Sequence, residues 1–444
     1  MSFCASSLLS HSHHLVITPS SNSRHRRLTR RHVIRPCLRM SLNNNDNNKN
    51  FNSSSLLNAV TKLLWGQSLP PGLLVATVRT AWNSTWRLMM SQLAPSDSSG
   101  GYSRPASKFR ISGLSPPRSL HLYVGLPCPW AHRTMIVRAL KGLEEAVPVS
   151  VASPGLDGSW EFKRVGGAGA SGISPSLDKA NGCKTLKEVY GLRRGGYDGR
   201  STVPMLWDND SKDVICNESY DIIQLFNSGL NELAQNPVLD LSPPELKEKI
   251  EEWYQVIYQN VNNGVYRCGF AQSQEAYDKA VNDLFCTLDK LEDHLGNSRY
   301  LCGHALTLVD ICLFTTLIRF DLAYSVLFKC TKKKLYEYSN LHAYMRDIYQ
   351  VHAPQNDYQL SINSVANCNF VLITVMRAHA ISQIPKVADT CNFTEIMDGY
   401  YKILFPLNPG CIRPVMPSTS EHEILCRPHG RESLSTASSV IVNY

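Results

Sequence analysis

The sequence predicts a small α/β domain followed by an all-helical domain, and three observations carry that prediction. Between residues 119 and 235, apolar runs of strand length surround one well-formed helical pattern and end in a second. From Pro243 to Gln350 the pattern changes to long stretches with a 3.6-residue apolar period. At 444 residues and 43% hydrophobic content, the chain is long enough to bury both cores.

The first forty residues hold Arg24, Arg26, Arg27, Arg30, Arg31, Arg35 and Arg39, seven of the eight units of net positive charge. They are Ser-rich, and the first acid is Asp46. That composition is a transit peptide's, and serines ahead of the arginines point to the chloroplast rather than the mitochondrion. With its basic residues gathered there, the chain gives little support to a nucleic-acid role. The Asn/Ser linker SLNNNDNNKNFNSSS follows, so residues 1–50 are assigned to targeting peptide and disordered linker. Residues 51–118 form an N-terminal extension, whose LLNAVTKLLWGQSLPPGLLVATVRTAW suits either a surface amphipathic helix or a partner contact.

Residues 119–235 form the α/β domain. SLHLYVGL reads as a strand, CPW opens the helix WAHRTMIVRALKGLE, and VPVSVASP reads as a second strand. The Gly-rich stretch 164–200 is a loop with one short helix at most. STVPMLWD and VICNE are two further strands before helix ESYDIIQLFNSGL. The order βαβ then ββα implies a four-stranded mixed sheet with helices on its faces. Residues 236–415 form the helical domain, in which Thr307 and Asp310 are spaced as an N-capping box. A polar tail, 416–444, ends the chain.

The fourteen cysteines show no C-x-x-C pair and no Cys/His spacing that suits zinc, so no metal is expected. Arg319 interrupts the best apolar run, so no membrane span is expected. Cys128 stands apart because it ends a strand and begins a helix. Free amides and the helix dipole stabilise a thiolate there, and thiol pKa values in such places fall to about 3.5–7.5. Pro129 suits the first helical turn. Position 131 is Ala, so an external thiol must resolve any disulfide formed at Cys128.

Val203-Pro204 opens the third expected strand. A cis proline would leave the Val203 backbone free to bind a peptide backbone, and a trans proline at a sheet edge is equally open. Glu218-Ser219 opens a helix, where Ser219 and free amides can hold a carboxylate while Glu218 accepts an ammonium, or where they simply cap. Together these places suit a thiol peptide with an α-carboxylate, an ammonium and internal amides. Glutathione has all of them.

LHLYVGLPCPWAHRTMIVRALKGLE, STVPMLWDN, VICNESYDIIQLFN, NNGVYRCGFAQSQEAYD, RYLCGHALTLVDICLFTTLIRFD and NPGCIRP resemble the glutathionyl-hydroquinone reductases, or Xi-class glutathione transferases, in their plant plastid form. The resemblance spans about 56–350 and resumes at 384. It implies a thioredoxin-like domain, a glutathione-transferase-like helical domain, a homodimer and a site between the domains. It also implies glutathione as co-substrate and quinone conjugates as substrates. Cys128 becomes the nucleophile, Trp160, Val203, Glu218 and Ser219 the glutathione-binding residues, and Tyr266 and Tyr400 the catalytic tyrosines of the quinone side. An Omega-like thiol transferase or dehydroascorbate reductase, and a non-catalytic carrier of glutathione conjugates, are the alternatives.

The chain departs from the family pattern at Val351 to Gln383, 33 residues where the family runs on directly. A valine codon begins GT and one glutamine codon is CAG, the two ends of an intron. A retained intron or gene-model error therefore accounts for the segment better than a real loop, since structureless insertions of this length inside a domain are uncommon.

Overall fold

The computed structural model describes residues 62, 71–111, 119–155, 158–163, 173–352 and 387–435. The expected targeting peptide and linker, and the insertion beyond His352, lie outside the described residues. The chain divides into two compact units, Met1–Leu74 and Val75–Tyr444. In the first, the described residues are Lys62 and the opening of helix α1 (Pro71–Leu93).

In the second unit the centre of the sheet is β1 (Leu120–Gly125), buried at all six positions because strands flank it and helices cover it. It pairs in parallel with β2 (Val149–Pro154), Leu122 opposite Val149, after the crossover helix α2 (Pro129–Lys141). On its other side it pairs antiparallel with β4 (Met205–Asp208), which pairs with β5 (Asp213–Cys216). The sheet has five strands, not the four expected, in the order β3-β2-β1-β4-β5. The extra one, β3 (Trp160–Glu161), is two residues long and antiparallel to β2, too short to leave a period-2 pattern in the sequence. Short helix α3 (Leu186–Gly191) precedes β4, and α4 (Ser219–Gln224) follows β5.

The helical part comprises α5 (Lys247–Ile257), α6 (Gly264–Gly269), α7 (Gln274–Leu295), α8 (Leu308–Arg319), α9 (Ser339–Tyr349) and α10 (Phe393–Tyr401). Helix α8 is buried at every residue, which is why most of its positions are apolar and its polar side chains, Asp310 and Arg319 among them, are hydrogen-bonded. Its start is fixed by Asp310, whose carboxylate accepts from Thr307 N at 2.8 Å, Leu301 N at 2.9 Å and Tyr344 Oη at 2.7 Å. Helix α2 packs against both α4 and α8, so it joins the sheet to the helical part. No helix among the described residues is long and apolar enough to cross a membrane.

The first residue of the insertion is bonded to the chain just past its end. Val387 N donates to Val351 O at 3.0 Å, so the chain leaves and re-enters the helical core at one spot.

Candidate active site

Cys128 caps α2 with extended φ and ψ of −76° and 116°, and Pro129 takes the first helical position. Its own amide donates to Gly125 O at 3.0 Å, closing a tight turn out of β1. The half-buried thiol points at Val203 O, 3.5 Å away. Burial pushes this thiol above its ordinary value, against the amides of Ala131 and Trp130 and the positive charges of Arg104 and Arg319. The depressed value expected from the helix terminus alone is thereby corrected: protein packed around the half-buried sulfur desolvates it, and that outweighs the dipole.

Across from the thiol, the Val203–Pro204 bond is cis, and β4 starts only at Met205 rather than at Ser201. Glu218 caps α4, accepting from Tyr220 N at 3.4 Å and, through its other oxygen, from Ser107 Oγ at 2.7 Å. Buried Ser219 accepts from Arg133 Nη1 at 3.4 Å. Arg133 reaches on to Asn262 Oδ1 at 2.7 Å, and Asn262 donates to Thr316 Oγ1 at 2.7 Å, which ties the floor of the cleft to α8. The cleft is lined by Arg104, Ser107, Trp130, Val203, Glu218 and Ser219 among others. Arg104 and Arg133 stack on Trp130, 4.0 and 4.4 Å from the ring centroid.

Two of these wall residues, Arg104 and Ser107, come from the N-terminal extension, to which the sequence assigned no role in the site. The extension is held by a reciprocal pair: Phe109 N donates to Asn217 Oδ1, and Asn217 N donates to Phe109 O, each at 3.1 Å. Trp160 does not line the cleft. Its ring covers Gly125, where an added Cβ would overlap it, so Trp160 braces the strand end leading into the Cys128 turn.

The two tyrosines named from the sequence, on α6 and α10, are brought together from far apart in the chain. Tyr266 Oη and Tyr400 Oη lie 2.8 Å apart, and Tyr324 Oη lies 2.8 Å from Tyr400 Oη. Burial pushes all three phenols above their ordinary range, so they are neutral and able to donate a proton. A negative charge on the Cys128 sulfur would raise the Tyr266 and Tyr324 phenols further. The rings enclose Phe328, with Tyr324 stacked on it at 5.3 Å and 22°. Tyr324 was not singled out from the sequence, because nothing in RFDLAY distinguishes it from a core aromatic. Helix α10 reaches the Cys128 turn through Gly399, where a Cβ would overlap the Pro127 ring.

Among the described residues, no three His, Cys, Asp or Glu side chains gather as metal ligands. A cysteine, a polar cleft beside it and a cluster of neutral phenols are the groups that thiol exchange with proton donation requires.

Family models describe the same architecture: a glutathione S-transferase N-terminal domain matches residues 127–228, and a glutathione S-transferase C-terminal domain matches 274–347. The glutathionyl-hydroquinone reductase YqjG of Escherichia coli is 38% identical over 366 residues, which cover 79% of this chain and 96% of that protein. The chain belongs to the glutathionyl-hydroquinone reductase family of glutathione transferases. PcpF of Sphingobium chlorophenolicum, a glutathionyl-hydroquinone reductase, is 40% identical over 277 residues, 61% of this chain and 82% of that one. The glutathione-bound structure of YqjG superposes with a TM-score of 0.60 at 37% identity, covering 75% of this chain and 93% of its own. The Xi glutathione transferase of Phanerochaete chrysosporium gives 0.61 at 36% identity, over 73% and 95% of the two chains. The sheet domain is thus thioredoxin-like, and the helices that follow are the C-terminal domain of a glutathionyl-hydroquinone reductase.

Proposed function

We propose that the chain reduces glutathionyl-hydroquinones to hydroquinones at the expense of glutathione, with Cys128 as nucleophile. The observation that carries this is one sulfur at the start of α2, flanked by a cleft with Glu218 and Ser219 on one side and the neutral Tyr266–Tyr324–Tyr400 cluster on the other. The glutathione carboxylate is assigned to Ser219 and the α4 amides, its ammonium to Glu218, and its backbone to Val203. The Cys128 thiolate attacks the conjugate's sulfur, the sulfur–carbon bond breaks, and the electron pair stays on the ring carbon. A cluster tyrosine protonates that carbon and regains its proton from solvent. A second glutathione thiolate then attacks the Cys128 mixed disulfide, releasing oxidised glutathione and restoring the thiolate.

C128A is expected to lose hydroquinone release to background while still binding glutathione. Near-normal turnover in that variant would end the assignment. Mass spectrometry of wild-type protein after one conjugate addition should find a glutathione adduct on Cys128.

An Omega-like thiol transferase is the second reading, favoured by a Schizosaccharomyces pombe relative named glutathione S-transferase omega-like 2, 37% identical over 273 residues. Turnover on dehydroascorbate exceeding that on glutathionyl-hydroquinones would select it. Plastid delivery is inferred from the arginine-rich, acid-free first forty residues, and a fluorescent fusion of residues 1–50 tests it. A homodimer is inferred from the family resemblance, and light scattering on the purified chain tests it.

A further inference from the structure

Arg319 ends α8, is fully buried, and spends its donors on the turn that carries the nucleophile. Its Nε donates to Pro127 O at 3.1 Å and its Nη2 to Leu126 O at 3.0 Å, the carbonyls of the two residues before Cys128. Its Nη1 donates to Thr315 O at 2.8 Å and to His132 Nδ1 at 3.0 Å. Because Nδ1 accepts, the proton of His132 is on Nε2, which donates to Thr390 Oγ1 at 2.7 Å, and Thr390 donates to Val387 O at 2.6 Å. One guanidinium therefore ties the helical domain, the Cys128 turn, helix α2 and the segment after the insertion to one another.

No ion pair among the described residues involves Arg319. A buried charge without a counter-ion is costly, and an apolar side chain would fill the same space more cheaply. Around Cys128 the charged or titratable groups are Arg104, Arg319, Tyr266 and Tyr324, and the phenols are neutral. Arg319 also bears on the Cys391 thiol and on the Tyr324 and Tyr400 phenols, but burial holds all three protonated, which leaves the Cys128 thiolate as the negative group that this arginine, with Arg104, can answer.

We propose that Arg319 is a positioning residue for the reaction: it fixes the Leu126–Pro127 carbonyls so that Cys128 faces Val203 O across the cleft, and it supplies the thiolate with its counter-charge. This rests on Cys128 being the nucleophile of the proposed function. A role confined to stability would lower the melting temperature of an Arg319 variant and leave the reactivity of Cys128 alone.

The test is the alkylation rate of Cys128 by iodoacetamide against pH, read on the Cys128 peptide by mass spectrometry, with exposed Cys286 as internal reference. In R319M, folded by circular dichroism, the Cys128 rate at pH 7 is expected to fall about tenfold, one unit of thiol titration, with Cys286 unchanged. R319K keeps the charge and loses the fork, so it is expected to keep the wild-type alkylation profile and lower kcat about tenfold with KM held. A folded R319M with the wild-type profile overturns the proposal. If R319M does not fold, R319K decides, and a wild-type kcat there overturns it. Alkylation needs neither glutathione nor quinone, so absence of wild-type turnover on conjugates would defeat the proposed function without altering this result.

Discussion

The two sides of Cys128 are built in opposite ways. The cleft side is polar, and many of its walls are short stretches of chain: residues 102–108 of the extension and 200–204 and 217–219 of the sheet domain. The tyrosine side is aromatic and mostly buried, with Tyr266 half-buried at its edge, and its three hydroxyls come from positions 266, 324 and 400. Local sequence can place a helix cap and its neighbour, whereas three phenols from distant helices meet only once the helical core has packed. The cleft side should therefore tolerate perturbation of the helical domain better than the tyrosine side does.

Removing one phenol breaks the comparison most sharply. Y400F takes away the oxygen shared by Tyr266 and Tyr324, and kcat for hydroquinone release is expected to fall on the order of 100-fold while glutathione affinity stays level. Steady-state turnover and calorimetric titration with glutathione check both halves. On the cleft side, S219A removes a hydroxyl assigned to a charged ligand group, worth about 1.5–3 kcal/mol. KM for the conjugate should rise about tenfold or more with kcat little changed, and an equal fall in kcat would mean that the two sides are not separable.

The smallest expected effect concerns the insertion. Val351, the first residue of the segment, is bonded to Val387 just past its end, so the chain leaves and returns at one place, and deleting 351–383 joins Gln350 to Ile384 with the loss of that one hydrogen bond. The melting temperature of the deletion form is expected to match or exceed that of the full chain, with the Tyr266–Tyr400 contact intact. A large loss of stability would show that the segment is an integral part of the domain. Sequencing the spliced transcript tests the intron itself, and finding no shorter form would count heavily against it.

Much of this was legible in the residues, for identifiable reasons. Strand-Cys-Pro-helix at 120–141 and Glu218-Ser219 at the head of α4 are local signals, and the structure puts them around one cleft. The fifth strand was not legible, since two residues carry no period. Arg104 and Ser107 were missed because an irregular extension gives no sign of which surface it will cover. Arg319 left a trace, a lone charge in the run ICLFTTLIRF, but it spoke against a membrane span without saying what it would hold. The thiol's balance was misjudged because a helix terminus is visible in sequence while the depth of the sulfur below the surface is not.

Gly399 has a role out of proportion to its size. Where it meets Pro127 the two halves of the site are spaced by a missing atom, so the distance from sulfur to phenol is set by what the chain leaves out. A single methyl group there would act as a shim, tilting the tyrosine hydroxyls off Cys128 while leaving every side chain of the proposed site chemically unchanged.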